Sequence, residues 1–256
     1  MTSKTNSETF SADILPFMYR RKMKYLIIWS GLGSTFSAVY KLPSKSAEST
    51  LEILRNLFLD RGIPAGIITD REESKNFSTG WIKTCAKYKV EQLCSKAYTQ
   101  NQNYIEQFIQ DGKSGISKFR SATGLHDCKH MYKMWQHFSD TQNHMNQRSL
   151  KNRTPFEVFM GETPDLSVLQ FASYEPLWYR EFNAKADEIK LFPGRFLGIS
   201  WNVGNALCFK VLVQRKGKRD EILSRPICVP RDPMCDIPPN LTGKQVQCKE
   251  KNEIIV

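Results

Sequence analysis

The sequence has no long apolar run. The longest, Tyr25-Leu26-Ile27-Ile28-Trp29, is five residues, where a membrane-crossing helix needs roughly 20, so no membrane partner is expected. The N-terminal stretch MTSKTNSETF is polar and has no apolar segment behind it of the kind that directs secretion. The seven cysteines are odd in number and none stands in a CxxC pair. That argues against a disulfide framework and predicts reduced thiols in a cytoplasmic or nuclear setting. Gly31-Leu32-Gly33-Ser34 lacks a following Gly-Lys-Ser/Thr and is no phosphate loop. With no other nucleotide cradle in view, no small-molecule substrate is expected. Internal repeats and low-complexity tracts are also missing.

What is present is basic charge. The 256 residues carry 37 Lys+Arg against 26 Asp+Glu, a net charge of +11. Residues 113–160 are the most basic part for their length, with 8 basic and 3 acidic side chains. A basic excess favours polyanionic partners, nucleic acid first. The hydrophobic fraction of 40% is that of a globular chain long enough for one large or two modest domains.

The first part of the chain alternates strand and helix signals. Phe10–Ile14 reads as a first strand. Met23–Ser30 and Phe36–Leu42 read as a hairpin about Gly31, Gly33 and Ser34. Leu51, Leu54, Leu57 and Phe58 recur at helical spacing within Lys45–Arg61, stopped by Gly62 and Pro64. Ala65–Thr69 is a buried-strand pattern, Thr79–Tyr88 a helix, Val90–Cys94 a strand and Asn103–Phe119 a helix. Gly112 and Gly115 are expected to weaken that last helix by about 1 kcal/mol each. Residues 129–145 and Thr154–Phe159 read as further helices, the latter opened by Pro155. Short β-rich pieces follow at Trp178–Arg180, Arg195–Ser200, Ala206–Gln214 and Glu221–Val229. The expected organisation is an α/β domain over 1–165, a small β-rich module over 174–231, and a disordered tail over 232–256.

Three acids sit where an open α/β sheet places functional groups, at or near the carboxyl ends of strands. They are Asp13 in the first strand, Asp70 directly after Ala65–Thr69, and Glu106 near the start of the Asn103–Phe119 helix. Three converging carboxylates hold two divalent ions about 4 Å apart, the arrangement that activates water and stabilises a leaving oxygen in phosphoryl transfer. Mg²⁺ prefers such oxygen ligands. With 26 acids in the chain, a fortuitous set or a solvated turn at Asp70 is the bland alternative.

Between Asp70 and Glu106 lie 35 residues, and between Asp13 and Asp70 lie 56. With Gly62-Ile63-Pro64, Ile68-Thr69-Asp70, Trp81 to Tyr88, and Asn101-Gln102-Asn103-Tyr104-Ile105-Glu106, this spacing resembles the D,D-35-E catalytic core of copia-type retrotransposon integrases. Arg153-Thr154-Pro155-Phe156-Glu157-Val158 and Gly161-Glu162-Thr163-Pro164-Asp165 resemble the segment after that core. Tyr174 to Tyr179 and Gly194 to Ile199 resemble the small module beyond it. The resemblance implies a ribonuclease H-like mixed sheet with flanking helices. It also implies Asp13, Asp70 and Glu106 as catalytic, metal-binding acids with two Mg²⁺ (or Mn²⁺) ions, and DNA 3′-processing and strand transfer. DNA as partner, self-association and action in the nucleus follow from it; without that function the chain is expected in the cytoplasm. The preceding His/Cys zinc module and the protease, reverse transcriptase and ribonuclease H segments of such elements have no counterpart in the sequence, so a fragment of a retroelement polyprotein is expected.

Some positions depart from the family pattern. Arg71 follows Asp70 where Asn is usual, and a guanidinium there competes with a cation for the carboxylate. Tyr104 stands where Pro is common. These departures keep two alternatives open: a catalytically decayed remnant with weak or no DNA binding, and a protein-interaction domain with a fortuitous acidic triad. The basic clusters are candidate phosphate contacts: Arg20, Arg21, Lys22 and Lys24 in a turn, Lys113, Lys118 and Arg120 after Glu106, and Arg215, Lys216, Lys218 and Arg219 in a turn of the small module. His126, His130, His137 and His144, with Cys128, span 19 residues of one helical stretch. Four ligands so strung cannot surround one zinc ion, and the expected reading is a satisfied or solvated polar stripe.

Overall fold

The computed structural model describes residues 7–70, 79–94, 102–123, 130–181, 191–201, 203, 207–214, 219–226 and 228–231. The chain divides into two compact units, Met1–Leu169 and Gln170–Val256. The expected tail over 232–256 lies outside the described residues, as do His126, Cys128 and Arg71.

The first unit is built on a five-stranded mixed sheet of order β3-β2-β1-β4-β5. Its strands are β1 (Thr9–Tyr19), β2 (Lys22–Gly31), β3 (Ser37–Leu42), β4 (Gly66–Thr69) and β5 (Glu91–Cys94). The first three form an antiparallel meander, while β4 pairs with β1, and β5 with β4, in parallel. The helices are α1 (Ala47–Arg61), α2 (Thr79–Lys87), α3 (Gln102–Thr123), α4 (Met131–His144) and α5 (Pro155–Met160). This is a mixed sheet with flanking helices, as the sequence predicts, followed in the second unit by an antiparallel β-sheet.

Strand alternation divides the side chains between two faces. Phe10, Ala12 and Ile14 of β1, with Ile27 and Trp29 of β2 and Ile67 of β4, join Ile53, Leu54 and Leu57 of α1 and Trp81 and Cys85 of α2 in one buried core. Trp29 and Trp81 stack with ring centroids 6.3 Å apart. Burying leucines as fully as Leu54 and Leu57 stabilises by roughly 1.5–3 kcal/mol each. The other face carries Ser11, Asp13 and Leu15, with Leu26, Ile28, Val39 and Ile68 buried on it. Helix α3 lies against β1 and β2, and α4 against β3.

The first strand outruns its expected end at Ile14. It continues through Pro16 to Tyr19, because β4 has already ended opposite Ala12 and no ladder bond on that side needs the N–H that proline lacks. Arg20 and Arg21 then form the two-residue turn into β2, with φ of 48° and 60°. Both central residues in the left-handed region define a primed hairpin turn, usually filled by Asn-Gly. For arginine each such conformation costs on the order of 1 kcal/mol.

The outer edge of β3 is closed by side chains of α4. Asn143 accepts from the Ser37 N–H and donates to its carbonyl, both at 2.8 Å. Ser139 Oγ donates to the same carbonyl at 3.0 Å, and Gln136 Nε2 donates to the Val39 carbonyl at 3.3 Å. These amides take the place of a sixth strand on an edge that would otherwise offer unpaired backbone groups.

Helix α3 runs unbroken through Gly112 and Gly115 over 22 residues. A Cβ at Gly112 would come within 2.2 Å of the Trp135 ring, so the glycine lets α4 press its indole against the α3 backbone. At Gly115 the nearest atom, of Phe138, is 3.4 Å away. Tertiary contact has overridden local propensity here. The histidine stripe is likewise resolved by packing: His130, His137 and His144 are all buried. Burial lowers the pKa of His137 to about 4 and keeps it neutral, so it adds nothing to the basic charge of its segment.

Helix α5 owes its bounds to its sequence. Thr154 caps it, its side chain accepting from the Glu157 N–H at 3.0 Å; Pro155 opens it and Gly161 ends it at φ 77°. Phe159 stacks on Phe36 at 4.4 Å and meets Phe10 edge-on at 5.7 Å, fastening the helix to the core.

The second unit is a five-stranded antiparallel sheet of order β10-β6-β7-β8-β9. Its strands are β6 (Pro176–Arg180), β7 (Leu191–Ile199), β8 (Phe209–Val213), β9 (Glu221–Arg225) and β10 (Cys228–Pro230). Phe171, Leu177, Tyr179, Phe196, Phe209, Val211 and Val213 form its core. Glu221–Val229, read as one β piece, is two strands. Pro226 follows β9, which pairs with β8, and the chain then returns to lay β10 against β6.

Replacing Gly112 by Ala is expected to lower stability by about 1–3 kcal/mol through overpacking against Trp135, despite the higher helix propensity of Ala. Gly115→Ala should be neutral or slightly stabilising; urea midpoints of the two variants check the contrast. For His137 the folded pKa lies below the unfolded value near 6.5, so the unfolded chain alone takes up the proton. Stability is complete above about pH 6.5 and falls as pH drops toward 4, by roughly 3 kcal/mol if the site stays closed. Urea unfolding of the parent and of His137→Gln across pH 4–7.5 measures that slope, which the variant should flatten.

Candidate active site

The site starts from one stretch of register. Parallel pairing runs from Thr9 opposite Gly66 to Ala12 opposite Thr69. The next residues are Asp13 and Asp70, so two acids follow the last paired positions of adjacent central strands. Neighbouring strands lie about 4.8 Å apart, and residues in parallel register share a face. Asp13 is half-buried and held in β1 by its antiparallel pairing with β2, opposite Ile28; Asp70 is exposed at the first residue beyond β4. Both positions are at the level of the carboxyl end of β4, the end at which open α/β sheets bind ligands.

Glu106 arrives from a different element. It is exposed in the second turn of α3, next to the buried Ile105. The buried row Ile105, Ile109, Gly112 and Ile116 fixes which side of the helix faces inward. Glu106, Lys113 and Arg120 recur every seven residues beside that row, so one stripe of α3 carries the acid and two of the expected phosphate contacts. Lys113 is exposed and Arg120 half-buried; Lys118 is exposed but lies off the stripe.

Among the described residues, no group of three or more His, Cys, Asp or Glu is gathered closely enough to hold a metal ion. The strand register thus brings Asp13 and Asp70 together, while Glu106 does not complete a three-carboxylate cage with them. A pair of carboxylates still suits Mg²⁺, which keeps several waters and is commonly bound by one or two carboxylates plus substrate phosphates.

Of the other expected contacts, Arg20 and Arg21 are exposed in the β1–β2 turn, with the Arg20 guanidinium 5.4 Å from the Tyr19 ring centroid. Arg219 is exposed in the connection before β9. Arg215, Lys216 and Lys218 lie outside the described residues. Sequence reasoning placed Lys22 and Lys24 in this basic cluster but did not set them across from β1 in a strand pair; both are exposed. Their signal was their place directly after the turn, once β1 is allowed to continue through Pro16.

No family model matches the chain and no curated protein matches it in sequence. Several solved structures are similar to it. The catalytic core domain of HTLV-2 integrase in complex with magnesium is 14% identical at a TM-score of 0.49, the match covering 61% of this chain and 99% of that one. A chain of the simian T-cell lymphotropic virus intasome is 14% identical at a TM-score of 0.48, covering 88% of this chain and 83% of that one. The catalytic core domain of BIV integrase is 13% identical at a TM-score of 0.47, covering 61% and 95%.

Proposed function

We propose that the chain is an integrase-like, DNA-binding protein whose first unit cuts and joins phosphodiesters with divalent metal at Asp13 and Asp70, assisted by Glu106. The observation that carries this reading is the parallel pairing of Ala12 with Thr69, which sets the next residues, two carboxylates, on adjacent central strands. The D,D-35-E spacing and the segment from Arg153 to Asp165 support a copia-type retroelement origin, with nuclear action and self-association as parts of the same reading.

The chain's own residues supply a division of labour. Asp13 is held in β1 by its pairing with Ile28 of β2, one residue past the last pair with β4, which limits its motion. Asp70, the first residue past its strand, is exposed. Glu106 would approach from α3, the helix that lies against β1 and β2, and Lys113 and Arg120 continue its stripe as contacts for a phosphate backbone. Mg²⁺ or Mn²⁺, two ions in the active state, would supply a water of lowered pKa and charge compensation at the leaving oxygen.

The test is strand transfer by the purified protein on duplexes bearing the terminal sequences of the surrounding element. Product that requires Mg²⁺ or Mn²⁺ and falls to background in Asp13→Asn and Asp70→Asn, with DNA binding retained, is the expected outcome. Product that persists in both variants would overturn the assignment of the acids. A folded protein that binds DNA and yields no product would reduce the reading to a catalytically silent descendant of such an enzyme.

A further inference from the structure

The β1–β2 hairpin reaches past both of its neighbours. On one side β4 pairs with β1 only through Ala12; on the other β3 pairs with β2 only from Tyr25 onward. Beyond these limits the rows Phe17–Lys24, Met18–Met23 and Tyr19–Lys22 are paired to each other alone and closed by Arg20 and Arg21. Three rows extend about 10 Å past the end of β3 at 3.3 Å per residue. Arg20, Arg21, Lys22 and Lys24 are all exposed. No Asp or Glu occurs anywhere from Ile14 to Ala47, so four cations within five residues have no local acid to offset them.

Alternation sorts the ribbon's side chains. Residues opposite one another share a face, so Tyr19 with Lys22 and Phe17 with Lys24 continue the face of Asp13. Met18 and Met23, 61% and 49% exposed, occupy the other face. One side of the ribbon therefore interleaves aromatic rings with ammonium groups and leads along β1 to the acid pair.

We propose that this ribbon is an arm that grips double-stranded DNA. Arg20, Arg21, Lys22 and Lys24 would engage phosphates, and the two-stranded tip would enter the major groove. A B-form major groove, about 12 Å wide, admits a two-stranded β-ribbon, whereas the deep, narrow groove of A-form RNA does not admit side chains. The cations fix position and carry no base sequence. This inference rests on the DNA-binding reading above and adds to it a specific element and a groove.

The test uses the full chain and a B-form duplex of about 30 base pairs, with binding followed by fluorescence anisotropy from 50 to 300 mM salt. Arg20→Asn combined with Arg21→Gly installs the residues a primed turn prefers, so it removes two charges while easing the backbone. Each phosphate contact adds about 0.9 to the slope of log K against log salt. The double variant should therefore lose about 1.8 of slope and bind roughly 30-fold more weakly near 0.15 M salt. Lys22→Gln with Lys24→Gln, which leaves the turn intact, should do likewise. Lys83→Gln with Lys87→Gln, exposed cations on α2, should leave the slope unchanged.

A parent that binds with all three double variants alike overturns the arm and leaves the DNA-binding reading standing. Equal losses in all three also overturn it, since the effect would then be one of net charge. Equal parental affinity for a double-stranded RNA of the same length overturns the groove. A parent that binds no duplex overturns both the arm and the DNA-binding reading.

Discussion

The placement of Asp13 and Asp70 depends on four residues of parallel pairing between β1 and β4. Those pairs bring the ends of two central strands to the same level, and the acids that follow inherit that level. A shift of one residue would turn Asp13 into the core occupied by Phe10, Ala12 and Ile14. The register is kept by burial: all four residues of β4 are buried. Gly66 also packs close to Thr9, whose side chain would lie 3.2 Å from a Cβ. Because β4 stops at Thr69 and β3 pairs with β2 only from Tyr25, the end of β1 from Phe17 onward forms a two-stranded ribbon with β2. The adjacent acids and the projecting hairpin are thus two results of one short ladder.

The helices on the acid-bearing face are held by contacts of another kind. Asn143, Ser139 and Gln136 bond to the backbone of β3, which ties α4 to the edge of the sheet. Trp135 and Phe138 on the same helix then pack on α3 at its two glycines. Glu106 is therefore located through a chain of packing that runs from the β3 edge through α4 to α3. Asp13 is located by its backbone pairing with β2, and Asp70 directly follows the paired residues of β4. Among the described residues no three such acids are gathered into a cage.

Much of the first unit was legible because its signals are local. Gly62 and Pro64 end α1, the apolar run before Asp70 is β4, and Thr154, Pro155 and Gly161 delimit α5. The acids Asp13 and Asp70 were recognisable from their places in or after strands. What escaped the sequence depended on partners remote in the chain. Pro16 looked like the end of β1, and only the early stop of β4 makes it tolerable there. Gly112 looked like a weakness until Trp135 occupied the space. Pro226 interrupts a piece that read as continuous, since the return of β10 to β6 is a matter of topology. The histidines looked polar by type, but α4 turns three of them inward.

The Gly112–Trp135 contact has a consequence for how this sequence can drift. Glycine at 112 gives poor helix propensity and is tolerable because a large ring fills the gap it leaves. The indole at 135 is in turn tolerable only while position 112 has no side chain. Neither change is neutral alone: a side chain at 112 collides, and a smaller residue at 135 opens a void beside a weak point in the helix. In descendants of this chain the two sites should change as a pair, and a copy still carrying both is one in which the α3–α4 packing has not yet decayed.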